Sequence, residues 1–120
     1  MKVKGHFDHF NINVTDLSKS INFYETALGL HECGRKEASD GSFILVFMTD
    51  ECGSFKLELT WLRDHTEPYE LGENESHLCI KVEGDYDEVR KFHKENGWVC
   101  FENETMGLYF INDPDDYWIE

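Results

Sequence analysis

His9 and Glu58 stand 49 residues apart, and His77 and Glu120 stand 43 apart. Each histidine comes early in one strand-like segment and each glutamate late in another. His9-Phe10-Asn11-Ile12-Asn13-Val14 is answered by Phe55-Lys56-Leu57-Glu58-Leu59-Thr60, and His77-Leu78-Cys79-Ile80-Lys81-Val82 by Asp115-Asp116-Tyr117-Trp118-Ile119-Glu120. Imidazole nitrogens and carboxylate oxygens suit a divalent cation, and two of each leave room for water or substrate. Glu58 sits between Leu57 and Leu59, and Glu120 follows Ile119. A charged group among such neighbours either faces solvent or needs a partner such as a metal ion. Matched placement in the two halves singles out His9, Glu58, His77 and Glu120. His6, three residues before His9, would face the other way in a strand. His31, His65 and His93 have no counterpart in the other half and read as surface or packing residues.

These side chains need strands to hold them, and the apolar pattern supplies two similar sets. Residues 7–14 alternate, with Phe7, His9, Asn11 and Asn13 on one face and Phe10, Ile12 and Val14 on the other. Asp16 or Ser18 can cap a helix carrying Leu17, Ile21, Tyr24 and Leu28, with Phe23 beside them, and Gly29 is placed to end it. Strands are predicted over 30–36, 43–49 and 54–61, with turns at 39–42 and 51–53. The last of these strands presents Lys56, Glu58 and Thr60 on its inner face if Leu57 and Leu59 face the helix. The order then repeats: a strand over 75–82, a helix capped by Asp85 and ended by Gly97, and strands over 98–101, 107–112 and 117–120. That helix carries Val89, Phe92 and His93. Asp113-Pro114-Asp115-Asp116 is a turn before the last strand.

The expected fold class is therefore α+β, with two βαβββ modules forming a curled sheet around a metal-binding cleft and the helices outside. Module one spans 6–61, a linker 62–74 and module two 75–120, in a single domain of 1–120. Each module is too small to bury a core alone.

Composition narrows the function classes. The chain has 120 residues, 40% of them hydrophobic and 14% aromatic, enough for a packed core in which aromatics carry much of the bulk. Trp61, Trp98 and Trp118 are candidates for an apolar pocket or for that core. The net charge of −14, from 25 acids against 11 bases, argues against nucleic acid and against an anionic membrane surface. No segment approaches the roughly 20 apolar residues of a membrane span. Met-Lys-Val-Lys-Gly-His at the start has no apolar run of signal-peptide length, so the expected location is cytoplasmic. Cys33, Cys52, Cys79 and Cys100 form no CxxC pair and are expected to be reduced, buried and small packing residues.

Several motifs together resemble the glyoxalase I (lactoylglutathione lyase) family of the vicinal-oxygen-chelate superfamily. His9 followed by Asp16-Leu17, then Ser20-Ile21-Asn22-Phe23-Tyr24-Glu25-Thr26-Ala27-Leu28-Gly29-Leu30, is similar to that family's opening. Leu57-Glu58-Leu59-Thr60, Tyr69-Glu70-Leu71-Gly72 before His77, and Asp113 to Glu120 resemble its later ligand segments. The resemblance implies metal ligation by His9, Glu58, His77 and Glu120, with one divalent ion: Zn, Ni or Co. It implies isomerisation of a hemithioacetal, formed from methylglyoxal and a small thiol, to a lactoyl thioester through an enediolate. Glu120 is then the first choice of base and Glu58 its partner. The thiol co-substrate would be glutathione or another small thiol, and the assembly a homodimer.

The chain departs from glutathione-using members in having Asn13 where an arginine is common and Leu62 where an asparagine is common. Residues 102–107 also lack basic groups for a glutathione carboxylate. Two alternatives remain in view. One is another metal-dependent enzyme of the superfamily, an epimerase or dioxygenase. The other is a metal-free small-molecule-binding protein of the same fold.

Overall fold

Asp16 ends the first strand and starts the first helix. Its side chain accepts a hydrogen bond from the Lys19 amide at 3.1 Å, satisfying one of the donors that a helix start leaves unpaired. In the computed structural model, which describes residues 1–120, this junction links β1 (His9–Val14) to α1 (Leu17–Leu28). Gly29 stops the helix in a left-handed conformation, with φ of 68°, and the amides of Gly29 and Leu30 close on the carbonyls of Glu25 and Tyr24. Three strands follow: β2 (His31–Glu37), β3 (Phe43–Thr49) and β4 (Lys56–Leu62).

These elements belong to the first of two compact units, residues 1–69, and form the expected βαβββ order. The four strands make one sheet in the order β1-β4-β3-β2. β1 runs parallel to β4, while β4–β3 and β3–β2 are antiparallel. Ile12, Val14, Val46, Met48, Leu57 and Leu59 are buried on one sheet face, and α1 packs against β4 and β2. The buried stripe of α1 is Ser20, Phe23, Tyr24 and Ala27, rotated from the expected one. Leu17, Ile21 and Leu28 are only half-buried. Ser20 and Tyr24 are fully buried, with Phe23 and Ala27 nearly so, and this stripe faces the core. Met48 is fully buried, and Met48→Ala should cost about 2–5 kcal/mol, read as a lowered denaturant midpoint.

The second unit covers residues 70–120. It contains α2 (Tyr86–Glu95), β5 (Val99–Asn103), β6 (Leu108–Asn112) and β7 (Trp118–Ile119). Asp85 caps α2 through the Glu88 amide at 3.1 Å. The sheet runs β5-β6-β7, antiparallel throughout. The strand expected over 75–82 is reduced to one parallel bridge, Leu78 to Ile119. Two hydrogen bonds of 2.8 Å flank it, from the Glu120 amide to the Leu78 carbonyl and from the Ile80 amide to the Glu120 carbonyl. Its partner β7 is only two residues long, which leaves little ladder to extend it. The pairing order nonetheless repeats that of the first unit.

His93 is 2% exposed, and its Nδ1 lies 2.8 Å from the Tyr109 hydroxyl, so it is a packing residue. Burial pushes the Tyr109 hydroxyl up to about 12. All four cysteines are free, as expected, but the expected burial is overturned, since all four are exposed. Burial here is taken by larger aliphatic and aromatic side chains, and the cysteines fall on strand and loop positions outside those cores. No helix is long and apolar enough to cross a membrane.

Candidate active site

The register of β1 on β4 decides which side chains share a face. His9 pairs with Lys56, Asn11 with Glu58 and Asn13 with Thr60, and partners in register point the same way. Their neighbours Ile12, Val14, Leu57 and Leu59 are buried against the helix side. His9, Asn11, Asn13, Lys56, Glu58 and Thr60 therefore occupy the opposite face. This places His9 and Glu58 on one sheet face, as the alternation of Leu57-Glu58-Leu59 requires. Phe47 of β3 pairs with Glu58 and meets the His9 ring edge-on, with centroids 5.7 Å apart.

His9 Nδ1 lies 2.5 Å from an Asp8 carboxylate oxygen. That carboxylate is held below its ordinary range by His9 first and by Lys56 next. A carboxylate only accepts, so Nδ1 donates, and in the neutral tautomer Nε2 keeps the lone pair. Beside it runs a polar chain: the Thr60 hydroxyl donates to Asn11 Oδ1 at 2.5 Å, and Asn11 Nδ2 donates to Asn13 Oδ1 at 2.9 Å. Both arginines of this unit are engaged elsewhere, Arg35 with Glu32 and Glu37, and Arg63 with Asp64 and the Asp40 carbonyl.

The second unit repeats the pattern with different parts. His77 Nδ1 lies 3.1 Å from the Glu75 carbonyl, which again makes Nδ1 the donor and Nε2 the acceptor. His77 Nε2 lies 3.9 Å from Glu120 Oε1. Phe110 meets the His77 ring edge-on, with centroids 4.9 Å apart, matching Phe47 against His9. Trp118 packs on Phe110 and stacks on Phe101, extending an aromatic strip along the face that carries Glu120. Glu120 is placed by the preceding turn. Asp113 Oδ1 accepts from the amides of Asp115 at 2.8 Å and Tyr117 at 2.9 Å, and Asp116 takes φ of 69°, a conformation aspartate tolerates. Asn74 Nδ2 donates to the Asp116 carbonyl at 2.8 Å and braces the same turn.

Cys79 adds a contact that sequence reasoning missed. Its thiol donates to Glu120 Oε2 at 2.8 Å. That hydrogen bond, with burial and the carboxylate charge behind it, pushes the Cys79 thiol up to about 11. Asp8, Phe47 and Phe110 were also missed. The two phenylalanines had a signal in the repeat, since they stand 11 and 10 residues before Glu58 and Glu120. Asp8 had none beyond its adjacency to His9.

Each unit thus holds one imidazole with Nε2 as its acceptor and one carboxylate on the same sheet face. Neither unit gathers three or more His, Cys, Asp or Glu side chains into a metal site of its own. In each unit a histidine and a glutamate offer nitrogen and oxygen donors of the kind zinc, nickel or cobalt takes, and each histidine has an outer hydrogen bond, as ligating histidines usually do.

The model of the glyoxalase/bleomycin resistance protein/dioxygenase superfamily matches residues 6–120. A lactoylglutathione lyase of Neisseria meningitidis is 35% identical over 119 residues, covering 93% of this chain and 86% of that protein. A probable lactoylglutathione lyase of Synechocystis is 34% identical over 121 residues, covering 93% and 90%. Among solved structures, the trypanothione-dependent glyoxalase I of Leishmania major superposes with a TM-score of 0.84 at 31% identity, covering 97% of this chain and 84% of that one.

Proposed function

The chain belongs to the glyoxalase/bleomycin resistance protein/dioxygenase superfamily, and from that premise we propose that it is a glyoxalase I-type lyase whose two donor pairs serve one divalent metal. The observation that carries this is the matched pair of histidines. His9 and His77 each commit Nδ1 to an oxygen and keep Nε2 as acceptor, and each shares a sheet face with a glutamate. The pairs come from one chain or from two chains of a dimer. When bound, the metal supplies Lewis-acid stabilisation of negative charge on the substrate oxygens.

The residues do the rest. The substrate is a hemithioacetal of methylglyoxal and a small thiol. Glu120 takes the proton from the carbon bearing sulfur, the electron pair flows into an enediolate, the proton returns to the neighbouring carbon, and the hydroxyl proton passes from the oxygen on the first carbon to that on the second, giving a lactoyl thioester. Glu58 is its partner on the opposite side. Phe110 and Trp118 give the Glu120 face an apolar lining. Retention of all four donors disfavours a metal-free binding role.

The identity of the thiol follows from the first unit's polar chain. Asn11, Asn13 and Thr60 offer amides and a hydroxyl, Lys56 on the same face is paired with Asp8 at 3.9 Å, and both arginines of that unit are committed to carboxylates and a backbone carbonyl. Glutathione carries two carboxylates and should be a poor co-substrate, with a higher KM than a neutral or cationic thiol. One relative, the Leishmania glyoxalase I, depends on trypanothione. The test is thioester formation from methylglyoxal with a panel of thiols, using metal-loaded and chelator-stripped protein. Turnover confined to the loaded protein and favouring a thiol other than glutathione is expected. No turnover with any thiol would overturn the assignment.

The same reading makes the enzyme a cytoplasmic homodimer, in keeping with four free thiols. Light scattering at micromolar concentration should give twice the chain mass. An active monomer would reject the dimer.

A further inference from the structure

We infer that Cys79 is a positioning residue for Glu120, fixing the carboxylate so that one oxygen faces the thiol and the other faces His77. The inference rests on the role proposed above for Glu120. Three observations carry it. The Cys79 thiol lies 2.8 Å from Oε2, and Oε1 lies 3.9 Å from His77 Nε2. The thiol is the side-chain donor on this carboxylate, and His77 is its other side-chain neighbour. The backbone leaves the pair little freedom, because the hydrogen bonds of Leu78 and Ile80 to Glu120 clamp the two segments on either side of Cys79.

The residue type suits the task. A glutamate side chain has several rotamers, and Glu120 lies one residue past the two-residue β7, with Cys79 and His77 as its side-chain neighbours. A cysteine has a short side chain and a weak S–H donor. It can select one carboxylate rotamer without neutralising the charge as a cation would. Productive geometry for proton transfer demands such orientation, since a small misplacement of a base is costly.

The contact is read first in metal-free protein, by the infrared S–H stretch in difference spectra of wild type against Cys79→Ser. A band displaced to lower frequency is expected, and Glu120→Ala should return the Cys79 band to the free-thiol position. The kinetic arm uses metal-loaded protein at matched occupancy. Cys79→Ala should lower kcat about tenfold with KM little changed, because the contact serves the transition state rather than substrate binding. Cys79→Ser, which keeps a donor, should recover most of that loss. An S–H band that Glu120→Ala does not move overturns the proposal. So does wild-type kcat in Cys79→Ala, or a Cys79→Ser variant as slow as Cys79→Ala. If wild type turns over no hemithioacetal, the proposed function fails, while the infrared arm still decides the contact.

Discussion

Replacing Glu120 with glutamine should lower kcat by about 10²–10⁴-fold while leaving KM within a few-fold of wild type, which is the range a positioned general base contributes. Glutamine keeps the size of the side chain and an acceptor oxygen, so the aromatic strip of Phe110 and Trp118 and the contact with Cys79 have little reason to change. It removes the negative charge and the site that takes the proton. A group that acts only while the proton moves stabilises the transition state and not the ground state, hence a loss in kcat without a matching loss of affinity. Because Glu120 is also a proposed ligand, metal content must be measured in the same samples. Full activity at full occupancy would move the base to Glu58.

His9→Ala should weaken metal retention by more than about 100-fold, whereas loss of an outer hydrogen-bond partner costs a ligand roughly 10–100-fold. Asp8→Ala should therefore sit between His9→Ala and wild type. Asp8 holds His9 Nδ1 and thereby fixes the tautomer that leaves Nε2 as acceptor. Without it the ring can rotate and swap nitrogens. His6→Ala should retain metal like wild type. Metal content after gel filtration, followed by competition with a chelator, reads all three. A His9→Ala protein that keeps its metal would remove His9 from the ligand set.

Much of the arrangement around these residues was legible before any coordinates. Leu57-Glu58-Leu59 alternates with period two, so two buried leucines force Glu58 to the other face, and β1 places His9 there as well. Gly29 and the Asp16 and Asp85 caps punctuate both helices where expected. What period alone could not settle was which residues each element buries or pairs. The buried stripe of α1 takes in Ser20 and Ala27 beside Phe23 and Tyr24, while the larger Ile21 and Leu28 are only half-buried. The segment 75–82 alternates like a strand but has only the two-residue β7 to pair with, so it stays extended with one bridge. The cysteines show the reverse failure: residue type argued for burial, and position placed all four at the surface. The outer partners, Asp8 on His9 and Cys79 on Glu120, depend on rotamers and inter-strand register, which no linear pattern encodes.

The central claim is that the histidine–glutamate pairs of both units act on one metal ion. Metal stoichiometry, measured per chain for wild type, His9→Ala and His77→Ala, tests it most directly. The account predicts one ion per chain in wild type and well under one after gel filtration in either variant, because each histidine is one of four ligands to the same ion and its loss weakens the whole site. Two ions per chain in wild type, or a full equivalent retained when either histidine is removed, would contradict it.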